Sequence, residues 1–218
     1  MADLLAYGAI FVSSFVLALS GAIAPGPLIT ATITESLRRG SLAGPLLITG
    51  HGLLELVLLG ALLLGLTPLF HEPWFVATVS LSGGTILLGM AWSIRRALPT
   101  LKLALPGTPA ASAGRSLILK GAVLSLANPY FTIWWATIGL GYIMHSLRLG
   151  PAAVAAFFTG HILGDLFWYG LVSFTLARGR KLLTDRLYRG IMAAGAAILA
   201  LFACYFVYLG LDMLWAWK

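Results

Sequence analysis

The segment ITGHGLLE, residues 48–55, sets a histidine and a glutamate inside a long apolar run. FTGHILGD, residues 158–165, does the same with a histidine and an aspartate. Laid over one another without a gap, residues 36–60 and 146–170 match at eleven of 25 positions, at a constant offset of 110. The matches include Ser36/Ser146, Arg38/Arg148, Gly40/Gly150, Thr49/Thr159, Gly50/Gly160, His51/His161 and Gly60/Gly170, and Glu55 meets Asp165 in charge. A bias toward leucine aligns leucines. It does not align Thr-Gly-His with a carboxylate four residues further on.

The chain around these segments belongs in a bilayer. Of its 218 residues 60% are hydrophobic and 10% charged, with a mean hydropathy of +0.95; soluble domains carry about 25% charge. A helical span needs about 20 mostly apolar residues. Six such runs are expected, near 4–24, 42–66, 73–94, 116–145, 151–176 and 189–215. Trp74, Trp215 and Trp217 suit interfacial anchors. The N-terminus has no basic region of the secretory kind, so the first span is expected to be retained. Twelve of the fourteen Lys and Arg residues fall in or beside the first, third and fifth connections, leaving Arg148 and Lys218 on the other side. Positive-inside reasoning puts the twelve in the cytoplasm and both termini outside. The net charge of +7 is then a topology signal, and no nucleic-acid partner is expected.

The architecture expected is an all-α integral membrane protein of six transmembrane helices. It divides into a three-helix repeat over 1–96, a cytoplasmic linker over 97–115 rich in Pro, Ala and small residues, and a second repeat over 116–218. Three spans are an odd number, so the second copy enters the membrane inverted. Inverted repeats related by an axis in the membrane plane recur in secondary transporters, with the site near the midplane between the copies.

Depth pairs the four ionisable groups. At 1.5 Å of rise per residue, antiparallel second and fifth spans bring His51 level with Asp165, and His161 level with Glu55, within roughly 2–3 Å. Crossed contacts are expected if the helices touch. A charge at bilayer centre costs about 2.5–3.5 kcal/mol. A proton relay, a cation site or a site for a substrate ammonium would each justify four such groups. Polar adhesion between helices, worth about 0.6 kcal/mol per contact, is the plainer alternative.

The matching ends of spans one and four carry a second signal, IAPGPLIT at 23–30 and LANPYFT at 126–132. A continuous helix from 4 to 37 would be about 51 Å long, more than a ~30 Å hydrocarbon core requires. Pro25 and Pro27 around Gly26, and Pro129 after Asn128, each remove a helix donor. Breaks at 25–27 and 128–129 are therefore expected, either as kinks repaired by neighbours or as the paired discontinuities that line transport sites.

Pro25-Gly26-Pro27, the Asn128-Pro129 pair and the six-span layout resemble the LysE/RhtB amino-acid exporter family, which shows Pro-Gly-Pro at the end of the first span and Asn-Pro-Lys in the fourth. The resemblance implies proton-linked export of amino acids or related small metabolites across the inner membrane. After these motifs the family usually has Asp or Asn, and Lys; here stand Leu28 and Tyr130. The polar load shifts to His51, Glu55, His161 and Asp165. A divalent transition metal is the alternative cargo for those four side chains, since imidazole and carboxylate both ligate such ions.

The remaining expectations are smaller. No cofactor is called for. Partners are an amino-acid-like substrate, protons and the lipid bilayer, with a homo-oligomer left open. No phosphate-binding loop suggests an ATP motor and no nucleophile motif suggests an enzyme. Cys204 stands alone and forms no intrachain disulfide. Glu35 suits an ion pair near Arg38 and Arg39. Thr30, Thr32 and Thr34 either line a vestibule or bond back to their own helix. Gly83, Gly84, Gly139 and Gly141 suit close packing, and Trp134 and Trp135 either wall a cavity or pack.

Overall fold

The computed structural model describes residues 2–23, 26–65, 68–69, 72–101, 112–179, 182 and 184–216. Nine α-helices are described: α1 Ala2–Ala22, α2 Pro27–Arg39, α3 Ala43–Leu63, α4 Pro73–Ala97, α5 Ser112–Leu126, α6 Pro129–Trp134, α7 Leu140–Leu147, α8 Pro151–Gly179 and α9 Asp185–Ala216. A π-helical turn, Trp135–Gly139, joins α6 to α7. No strand occurs among the described residues. Four helices begin on proline, where the missing N–H is one the first turn leaves without a partner anyway. The linker core at 102–111, with Lys102, lies outside the described residues, as do Pro25, Arg180, Lys181, Trp217 and Lys218.

Among the described residues, three helices have by themselves the length and hydropathy to cross a membrane: α3, α4 with the 3-10 turn that follows it, and α9. Leu4–Leu19 is a further apolar stretch, but shorter. The other expected spans fall short for visible reasons. The run expected over 116–145 is divided at Ala127-Asn128 and again by the π turn. Helix α8 is long enough, but Thr159, His161 and Asp165 lower its mean hydropathy.

The molecule wears its apolar residues outside. Leu53, Leu56, Val57, Phe167, Leu171 and Leu201 are exposed, whereas Ser14, Ser36, Glu55, His161 and Asp165 are buried. This inverts a water-soluble protein and suits a hydrocarbon surrounding, where ionisable groups face the bundle interior.

Helix pairing follows a pattern. The most extensive contacts join α4 to α9, α1 to α8 and α3 to α5, and α2 touches α3 as α7 touches α8. Glycines at equivalent places make two of these contacts possible. A Cβ on Gly50 would overlap the Ile118 carbonyl of α5, and one on Gly160 the Phe11 carbonyl and Ser14 hydroxyl of α1. The turns before α3 and α8 also match. Gly40 and Gly150 have φ of 93° and 97°, a left-handed conformation that only glycine adopts cheaply, and each carbonyl accepts from the residue three ahead, Ala43 or Ala153.

Apolar clusters fill the two ends unequally. Ile10, Leu59, Leu62, Ile143, Val154 and Phe157 close one end together with Trp134 and Trp135. At the other, Leu37, Tyr188 and Met192 form a smaller cluster beside an open cavity.

Candidate functional site

Helices α3 and α8 each project a histidine and a carboxylate from one face, because residues four apart stack on successive turns. They meet at the centre of the bundle. His51 Nε2 lies 3.1 Å from Glu55 Oε1 on its own helix and 3.3 Å from Asp165 Oδ2 across the interface. His161 Nε2 lies 3.1 Å from Glu55 Oε1 and 3.6 Å from Asp165 Oδ2. Both crossed contacts expected from depth are present, and the i, i+4 contacts join them into one four-membered cluster.

Neighbouring helices orient this cluster unequally. Ser125 Oγ on α5 is 2.7 Å from His51 Nδ1. The same hydroxyl donates to the Gly121 carbonyl at 2.9 Å, so toward His51 it accepts and Nδ1 carries the hydrogen. Trp135 Nε1, in the π turn, donates to Glu55 Oε1 at 3.0 Å. His161 packs among rings instead, with Trp134 at 4.7 Å and Phe157 at 6.1 Å between centroids. Its Nδ1 and Glu55 Oε2 are buried with no hydrogen-bond partner among the described residues.

The cluster opens on a cavity of about 80 Å³, lined also by Ala18, Leu28, Ser125, Asn128, Tyr130 and Tyr169. Leu28 and Tyr130, which follow the two broken-helix motifs, both reach it. Gly26 and Pro27 are not among its described lining residues; Gly26 instead caps α2 in extended backbone and Pro27 fills the first helical position. Asn128 spends its side-chain oxygen as the N-cap of α6, accepting from Tyr130 N at 3.1 Å, and Pro129 follows it as the first residue of that helix.

A second cavity, about 660 Å³, lies between α2, α4, α5 and α9. Thr30, Thr34, Glu35, Arg38 and Lys120 line part of it. Buried Glu35 sits between Lys120 Nζ and Arg39 Nε, each at 2.7 Å. Of the expected threonines, Thr32 bonds back to the Leu28 carbonyl, while Thr34 bonds back to Thr30 and lines the cavity as well. Gly84 and Gly139 do mark close packing, against Val207 with the Ala203 carbonyl and against Trp135; Gly141 has open space around it. Ser125, the partnership of Lys120 with Glu35, and the use of Trp135 as a donor were not foreseen from sequence.

An all-helical protein with a lipid-compatible exterior and an ionisable centre where two helices meet is a membrane protein of the transporter kind. The LysE type translocator profile matches residues 19–210. The chain therefore belongs to the LysE type translocator family, whose members are transporters. Among curated proteins and among solved structures no significant match is found.

Proposed function

We propose that this protein exports amino acids or related small metabolites across the inner membrane, with proton movement coupled at His51, Glu55, His161 and Asp165. In this reading the chain spans the membrane six times as an inverted 3+3 repeat, with both termini outside. Exchanging α1 with α5, α3 with α8, α2 with α7 and α4 with α9 maps the α1–α8 contact onto α3–α5, α2–α3 onto α7–α8, and α4–α9 and α3–α8 onto themselves, as an inverted repeat would; the α2–α8 contact has no comparable α3–α7 counterpart. The observation that carries the reading is the meeting of both Thr-Gly-His segments in one buried cluster.

The unequal ends give the proposal a direction. The 660 Å³ cavity has the size of a small-molecule pocket and lies on the side holding Arg38, Arg39 and Lys120, the cytoplasmic side by charge. Aromatic and aliphatic residues close the opposite end. Solute enters the wide cavity through the basic mouth. The 80 Å³ centre is too small for it in this conformation and must widen as the halves rock.

Reconstituted protein, an imposed pH gradient and a lumenal pH dye test this. Amino-acid flux that moves protons, and that disappears in Glu55→Gln and in Asp165→Asn, is the expected result. Flux at the wild-type rate in both variants would remove the cluster from the mechanism.

A further inference from the structure

The same four side chains have the geometry of a metal centre. One ligand atom from each of His51, Glu55, His161 and Asp165 lies within 4.8 Å of every other. At metal–ligand distances of about 2.0–2.2 Å, the edges of a tetrahedron are about 3.3–3.6 Å. The four His–carboxylate edges are 3.1, 3.3, 3.1 and 3.6 Å. The histidines and carboxylates alternate around the ring, so like groups stand opposite one another within 4.8 Å; across the ring the site is wider than a tetrahedral edge, and a bound ion would draw the like pairs together.

We propose that His51, Glu55, His161 and Asp165 form a tetrahedral two-nitrogen, two-oxygen site for one divalent first-row transition cation, of which Zn²⁺ is the best-fitting probe. The proposal rests on the reading of this cluster as the functional centre of the translocator, and it names an occupant other than the proton.

Three observations beyond the distances point to a cation. First, the hydrogen on His51 Nδ1 faces Ser125, which leaves the Nε2 lone pair of the neutral ring aimed at two carboxylates. A ligand histidine is held in this way, its other N–H donated to a fixed acceptor. Second, Glu55 Oε2 is buried without a partner on a residue only 1% exposed. Third, the two carboxylates share a buried site whose described lining contains no Lys or Arg. In that lining only the two histidines stand against their charge, and a divalent ion would balance both carboxylates while leaving both imidazoles neutral as ligands.

The donors also select among metals. Imidazole nitrogen and four-fold coordination do not suit Ca²⁺ or Mg²⁺, which take six or more oxygens. The lone Cys204 is exposed on α9, so no thiolate softens the site toward Cu⁺. The 80 Å³ cavity has room for an ion and accompanying water.

The test titrates Co²⁺ into the purified full chain in detergent, reads its visible d–d absorption, displaces it with Zn²⁺, and counts bound metal by mass spectrometry. One ion per chain with an intense tetrahedral spectrum is expected. His51→Ala and Asp165→Asn abolish it, and His145→Ala, at an exposed histidine, leaves it unchanged. Should those ligand variants fail to fold, Ser125→Ala keeps all four ligands and is expected to weaken binding about ten-fold or more. A weak octahedral spectrum, or binding indifferent to His51 and Ser125, overturns the proposal. Amino-acid flux in vesicles without metal binding removes the metal and leaves the exporter reading standing. Tetrahedral Co²⁺ binding without any amino-acid flux supports the metal and overturns the amino-acid cargo.

Discussion

The two Thr-Gly-His segments do the same thing to the backbone and different things to their histidines. Gly50 and Gly160 each let a partner helix lie against a bare α-carbon, and Gly40 and Gly150 each turn the chain through a left-handed residue. Yet His51 is steered by a serine hydroxyl, whereas His161 is enclosed by Trp134, Trp135 and Phe157 and has an unpartnered Nδ1. The scaffold is duplicated and the electrostatics are not. In the proposed transport cycle the duplicated scaffold exchanges two arrangements of its halves, and the unequal surroundings would set which one is the resting state.

The comparison breaks hardest at the glycines. Gly50→Ala and Gly160→Ala push a methyl group into a neighbouring carbonyl, and each is expected to cost about 3 kcal/mol, the upper end for overpacking. Gly60→Ala and Gly170→Ala, equivalent positions with open space around them, should be neutral or gain up to ~1 kcal/mol of helix propensity. Thermal unfolding in detergent separates the pairs. Equal effects in all four would show that these close approaches do not hold the halves together.

Next in size is the ion pair at Glu35, which bridges the halves and has no equivalent at the matching position of the second. Lys120→Met leaves buried Glu35 with Arg39 alone and should cost about 1.5–3 kcal/mol, the usual worth of a hydrogen bond to a charged group. The equivalent of Glu35 is exposed His145, and His145→Ala should cost less than ~0.5 kcal/mol. Denaturation of the two variants side by side reads the asymmetry.

The smallest effect sharpens the comparison at the site itself. Ser125→Ala frees the His51 ring and should cost about 1 kcal/mol of stability. It should also loosen that ring relative to His161, visible as line broadening of its imidazole signals in NMR of specifically labelled protein. An unchanged His51 signal would mean that Ser125 does not orient the ring.

Sequence reasoning reached the parts of this structure that repeat. The Thr-Gly-His segments declared themselves because four chemically distinct positions recur at one offset. The helix breaks were visible because proline at 27 and 129 cannot sit in a helix interior. The paired contacts at the centre followed from depth alone. What stayed hidden depends on which helices touch. Ser125 is an ordinary serine in an apolar run until α5 lies on α3. Trp135 becomes a donor to Glu55 only because a π turn carries its indole there, and no residue type marks a π turn. Asn128 is legible as polar at a break, but its use as a helix cap follows from local backbone geometry. The wide cavity beside Glu35 belongs to four helices at once and leaves no trace in any one of them.

The proposed opposed orientation of the two halves underlies the transport reading, and labelling from each side of the membrane tests it most directly. Leu42→Cys and Ala152→Cys sit at equivalent exposed positions beside the two glycine turns and can be placed singly in a Cys204→Ser background. In intact cells a membrane-impermeant maleimide should modify the cysteine at 152 and spare the one at 42 until the membrane is opened. Modification of both from the same side would contradict the inverted arrangement and the shared central site built on it.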